Sequence, residues 1–146
     1  MTSVTSLNYQ VVREVNRVRA QHGLKALARS SALTRAAASH SRSMATGGYF
    51  AHESSDGSLF WQRIKAFYSA SGHSYWSVGE NLVWASPDMT AKQAVKIWMN
   101  SAPHRANLLS TQWREIGLSA VYSPDAPGDF QDQAATIMTA DFGVRR

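Results

Sequence analysis

Apolar side chains recur at three- and four-residue spacing along four stretches of the chain and at every second residue along two stretches near its C terminus. Leu7, Val11, Val15 and Val18 share one helical face, which predicts a helix from a Thr5 or Ser6 cap to about Gln21, with Gly23 as its stop. Leu33, Ala37, His40 and Met44 fall on one stripe of a second helix, opened by Ser30 and ended by Gly47 and Gly48. That stripe turns His40 toward the core. Phe60, Ile64, Phe67 and Tyr68 predict a third helix, capped by Ser58 and closed at Gly72. Ala94, Val95, Trp98 and Met99 predict a fourth, after Pro87 and Thr90.

The C-terminal stretches change period. Ile116, Leu118, Ala120 and Tyr122 alternate with Gly117, Ser119 and Val121, and Thr136, Met138, Ala140 and Phe142 alternate with Ile137, Thr139 and Asp141. The polar, proline-bearing segment between them predicts an antiparallel hairpin. Ser77 to Ala85 carries Val78, Leu82, Val83 and Trp84 around Gly-Glu-Asn and reads as a short buried strand or strand-like loop. Tyr49 to Ser58 has no sustained period and contains Asp-Gly, so it reads as a loop. After a turn at Ser101 to Pro103, His104 to Leu109 fits one more helical turn with Pro103 at its start. Helices first and strands last predict an α+β fold, helices around a small, mainly antiparallel sheet.

With 146 residues, 44% apolar and 17% charged, the chain supports one domain with a full core (1–146, core about 7–143), without repeats or linkers. It contains no cysteine, which excludes disulfides, thiolate metal sites and cysteine nucleophiles. No apolar run reaches the ~20 residues of a membrane span, and residues 1–15 lack the apolar core of a signal peptide. The 15 basic residues outnumber the 10 acidic ones by five, and the excess lies early. Arg13, Arg17, Arg19, Lys25, Arg29, Arg35 and Arg42 face Glu14 alone among residues 1–50. Solvation of outer helix faces is the preferred reading, with attraction to phosphate polymers or anionic lipid head groups as its alternative.

Five histidines and no cysteine restrict any transition-metal site to imidazole and carboxylate ligands. His52 and His104 lie off the apolar stripes, on irregular segments beside helices, where side chains can converge on a cleft. Glu80 stands in an otherwise apolar strand and needs a cationic, metallic or hydrogen-bonding partner. Two histidines and a carboxylate would suit an open zinc site. No HExxH, Gly-rich phosphate loop or GxSxG elbow supports a named reaction. Plain structural roles are expected for His40 (core, ring nitrogens satisfied), His22 (helix C terminus), His73 (exposed loop) and Asn81, Asn100 and Asn107 (turns). The five tryptophans, Trp61, Trp76, Trp84, Trp98 and Trp113, are expected mainly in the core.

Val15-Asn16-Arg17 with Arg19 and Gly23-Leu24, HSRSMATGGYFAHESSDGSLFWQRI from His40, GENL from Gly79, WMNSAPHRANLLS from Trp98 and EIGL from Glu115 stand in linked order over about residues 7–143. Together they resemble the CAP superfamily (cysteine-rich secretory protein, antigen 5, pathogenesis-related 1), in its cysteine-free bacterial branch. The resemblance implies a three-layer α/β/α sandwich with a large cleft holding two histidines and two acids, the histidines able to bind zinc or another divalent ion. Carried over by motif, His52 and His104 are those histidines and Glu80 the acid of GEN. Eukaryotic members place a second acid five residues after the first histidine, where this chain has Gly57. Asp56 is taken as its substitute, with Glu53 as the other candidate. The resemblance also implies secretion and a lipid, sterol or cell-wall polysaccharide ligand. The expectation is therefore a secreted monomeric protein with a metal-binding cleft and no nucleic-acid partner. A metal-dependent hydrolase with Glu80 as general base is the alternative.

Overall fold

The computed structural model describes residues 1–146. In chain order it forms β1 (Thr2–Ser3), α1 (Thr5–Gln21), β2 (Ala28–Arg29), α2 (Ser31–Gly47), α3 (Phe60–Phe67), β3 (Trp76–Ala85), α4 (Ala91–Met99), α5 (Ala102–Leu108), β4 (Glu115–Ala126) and β5 (Gln133–Arg145). The strands join in the order β1-β4-β5-β3, antiparallel throughout, and β2 adds a short parallel pairing to β4. The long β4–β5 hairpin is the spine of the sheet, and β3 lies against β5.

The alternation seen in the sequence sorts the sheet into two buried faces. Leu118, Ala120, Met138, Ala140, Phe142 and Val83 pack with Val11, Val15, Val95, Trp98 and Leu108 of α1, α4 and α5. Leu82, Val121, Ala135 and Ile137 face the opposite way, against Met44 and Ala45 of α2. Leu33 and Ala36 of α2 then pack on Ile64 and Tyr68 beside α3. Helices on both sides of one sheet give the expected three layers.

The α2 face is not purely apolar. Ser41 of α2 donates to the Ser119 carbonyl at 2.8 Å and accepts from Thr139 Oγ1 at 2.8 Å. This polar stripe continues along the same face to Asp141 and Glu80. Close approach of α2 is required for it. A Cβ on Gly117 would stand 2.1 Å from the backbone of Leu33 and Thr34, so only glycine lets the helix lie this near the strand.

Helix ends follow the sequence in most places. Ser30 accepts from the Leu33 amide at 3.1 Å, Gly48 closes α2 in the left-handed conformation, and Thr90 and Gln93 form a reciprocal cap on α4. Three expectations shift. α1 starts after Val4 with no side-chain cap, α3 starts after Leu59 rather than Ser58, and it ends at Tyr68 rather than at Gly72. At α3 the Gln62 side chain takes the Leu59 amide at 2.9 Å, doing the work expected of Ser58. Trp98 and Trp113 are core residues, but Trp61 is 39% exposed.

Gly117→Ala is expected to lower stability by about 1–3 kcal/mol or more through overpacking against α2. Urea unfolding measures it, and an unchanged midpoint would show that α2 can move away freely.

Candidate functional site

Glu80 stands on β3 opposite Asp141 on β5, both on the face covered by α2. Its side chain is 1% exposed. An ionised carboxylate there costs several kcal/mol unless donors surround it, and they do. Arg63 of α3 donates from Nη1 to Oε2 at 2.8 Å and from Nη2 to Oε1 at 3.1 Å. His52 Nδ1 donates to Oε1 at 3.0 Å. Arg63 also reaches the His52 carbonyl at 2.8 Å and Ser54 Oγ at 3.2 Å, so one guanidinium clamps the loop before α3 onto the strand.

The fourth member is Asp141, whose carboxyl is fully buried and receives no N–H or neighbouring hydroxyl. Burial first, then the adjacent Glu80 charge, push its pKa well above the usual carboxylate range, against a smaller opposing effect of Arg63 at 3.9 Å. Asp141 therefore keeps its proton beside Glu80. For Glu80, burial acts upward, but the hydrogen bonds of His52 and Arg63, the neutral Asp141 beside it and the Arg63 charge outweigh it and bring the pKa down to about 2. The two facing acids thus share one proton, held on Asp141.

An ionised Glu80 can only accept, so His52 carries a proton on Nδ1, and the neutral ring has its lone pair on Nε2. The ring is 45% exposed and lines a cleft of about 350 Å³ with Phe60, Pro103, Asn107, Trp113 and His104. His104 comes from α5, which is fastened to β3 from below. Asn81 Nδ2 donates to the His104 carbonyl at 3.1 Å, and Asn107 Nδ2 donates to the Glu80 carbonyl at 3.2 Å and to Asn81 Oδ1 at 2.9 Å. Trp113 Nε1 caps the Asn107 carbonyl at 3.0 Å, and the indole fits only because residue 79 is glycine. Burial and the nearby His52 lower the His104 pKa, so its neutral form is favoured.

The sequence expectations divide accordingly. His52, Glu80 and His104 are brought together. Asp56 is not among them: it is exposed, accepts from the Ser58 amide at 2.9 Å, and lines the adjoining serine-rich hollow. Glu53 is exposed as well. The acid that does adjoin Glu80 is Asp141, and the cation is Arg63; neither was singled out from the sequence. Asp141 carried the same signal as Glu80, an acid within an apolar strand. Arg63 was foreshadowed only as the partner that Glu80 required. Asn81 and Asn107 tie separate elements together instead of fixing turns. His40 is buried as expected and donates from Nε2 to the Ala51 carbonyl at 2.7 Å, but its Nδ1 has no partner, contrary to expectation. The general-base reading of Glu80 meets an obstacle: Glu80 lines the cleft, but both its oxygens are engaged and its side chain is 1% exposed.

The fold agrees with the comparisons with known proteins. The model of the CAP, or cysteine-rich secretory protein, family matches residues 12–142, and the chain belongs to that family. The uncharacterized protein YkwD of Bacillus subtilis (strain 168) is 34% identical over 122 residues, 84% of this chain and 45% of that protein. The uncharacterized membrane protein YlbC of the same strain is 30% identical over 115 residues, 78% of this chain and 31% of that protein. The chain thus spans less than half the length of these curated relatives. Among solved structures, an extracellular SCP-domain protein from Bacillus anthracis superposes with a TM-score of 0.73 at 25% identity, over 97% of this chain and 41% of that one. An outer surface protein from Borrelia burgdorferi gives 0.77 at 20% identity, over 93% and 90%.

Two substitutions separate the acids. Glu80→Gln removes the charge facing Arg63 and is expected to cost about 3–5 kcal/mol in chemical denaturation; a loss under about 1 kcal/mol would mean that the pair is solvated. Asp141→Asn keeps the shape and cannot ionise. Because the Asp141 pKa is raised on folding, its cost is absent below the unfolded value near 4 and grows as pH rises. The variant should therefore melt above the parent at pH 7–8, with the gap closing toward pH 4. A constant gap would contradict the protonated assignment.

Proposed function

We propose that this is a secreted CAP-domain protein whose cleft binds a divalent metal ion, zinc foremost, through His52 and His104, and there engages an extracellular lipid or cell-wall glycan. The observation that carries the metal reading is the Glu80–His52 pair. A carboxylate bonded to one ring nitrogen is the arrangement that orients histidine ligands and raises their basicity, and it leaves Nε2 of this partly exposed, cleft-lining ring available to a ligand. The favoured neutral form of His104 supplies the second donor.

Two imidazoles suit zinc, copper or nickel by type. No set of three His, Cys, Asp or Glu side chains is grouped to hold an ion. The remaining coordination positions would therefore fall to water or ligand, and a bound ion would act there as a Lewis acid. Glu80 and Arg63 fix the ring orientation of His52, and Asn81 and Asn107 fix the backbone of His104. Phe60, Val78 and Trp113 line the cleft beside the histidines, apolar surface suited to an acyl chain or a sugar face. Support for secretion comes from the extracellular and outer-surface neighbours. No helix is long and apolar enough to cross a membrane.

Isothermal titration with Zn²⁺ at pH 7.5 is expected to give saturable binding of about one equivalent, weakening as imidazoles protonate below about pH 6. The His52→Ala, His104→Ala double variant should lose it. Equal binding by that variant would overturn the assignment.

A further inference from the structure

Arg19, on the last turn of α1, is 2% exposed, yet it has no carboxylate partner. All its hydrogen bonds go to neutral carbonyls: Nε to Lys25 at 2.9 Å, and Nη1 to Leu108 and Ser110, each at 2.9 Å. Nη2 has no partner within the protein. The sealed, unpartnered polar atoms belong to His40, His104 and Asp141, so Nη2 keeps an opening. Burial lowers the Arg19 pKa with no acid to offset it, and a guanidinium still remains charged.

That opening is a hollow of about 250 Å³ lined by Arg19 with Lys25, Arg114, Thr111, Leu24 and Trp113. No acid lines it, and neither Lys25 nor Arg114 forms an ion pair. The hollow between α1 and α4 differs on both counts. There Glu14 neutralises Arg17, and the remaining cations, Arg13 and Lys92, are not buried. A largely desolvated cation with an unused donor, two free cations at the rim and a hydroxyl form a receptor for a compact anion of more than one charge.

We propose that this hollow binds a phosphate group, with Arg19 Nη2 at its floor and Lys25 and Arg114 closing from the rim. A carboxylate would leave one of the three cations without a charge to meet; a phosphate ester offers enough oxygens and charge for all three. Trp113 walls both this hollow and the histidine cleft, so the bound group would sit behind the cleft without needing a metal there.

The test is amide and indole NMR of the whole chain titrated at fixed ionic strength with inorganic phosphate and with glycerol 3-phosphate. Saturable shifts are expected at Gly23, Leu24, Lys25 and Thr111 and at the Trp113 indole. Lys25→Ala with Arg114→Ala should weaken binding at least tenfold while leaving the remaining spectrum intact, since both side chains are exposed. A parallel arm measures co-sedimentation with phosphatidylglycerol vesicles. Retention lost in the double variant assigns the phosphate to a lipid head group; saturable glycerol 3-phosphate binding without retention assigns it to a soluble or polymer-borne ester. Non-saturating shifts, shifts as large around Arg13 and Lys92, or equal affinity in the double variant would overturn the proposal.

Discussion

One buried negative charge organises this molecule's cleft. Glu80 lies in the sheet interior, where water cannot solvate it, so the surrounding chain must supply donors. It does so from two elements, Arg63 from α3 and His52 from the loop before it, while a neutral Asp141 adjoins it on the neighbouring strand. Each donor is bound by that need to a narrow range of positions. The charge therefore does more than stabilise the sheet. It draws an otherwise irregular loop onto β3 and sets which nitrogen of His52 faces the cleft.

The sheet provides the rigid base for this arrangement. Antiparallel pairing places Glu80 and Asp141 side by side, where they can share a single proton only if one acid stays neutral. Gly117 lets α2 settle close enough to cover them, and Gly79 admits the Trp113 indole that supports α5 and His104. The two histidines are held differently. His52 is oriented by a charge, whereas His104 is held through its backbone by a hydrogen bond from the Asn81 side chain and by a packed indole. A cation or ligand entering the cleft would meet one electronically primed ring and one merely well-placed ring.

Much of the fold was legible because period and punctuation agreed. Both long helices, the β4–β5 hairpin and the caps at Ser30, Gly48 and Thr90 follow from spacing and end signals alone. The two-residue strands β1 and β2 left no trace, being too short for a period. For the site, motif resemblance brought out His52, Glu80 and His104. It led astray at the second acid, because proximity in sequence to His52 favoured Asp56, while the acid that meets Glu80 is 61 residues further on and joined to it only by strand pairing. Arg63 was hidden for a related reason: on a helix a cation beside apolar residues reads as solvated until the tertiary partner is known. Arg19 was likewise counted with the surface charges, although it is buried.

The account rests on Glu80 holding the Nδ1 proton of His52 and leaving Nε2 bare. Nitrogen-15 NMR of the histidine side chains at neutral pH without metal tests this most directly. His52 should give the Nδ1–H tautomer almost exclusively, with Nε2 at the chemical shift of an unprotonated nitrogen, and the bias should relax in Glu80→Gln. An Nε2–H tautomer, or an even mixture unaffected by Glu80→Gln, would contradict the account.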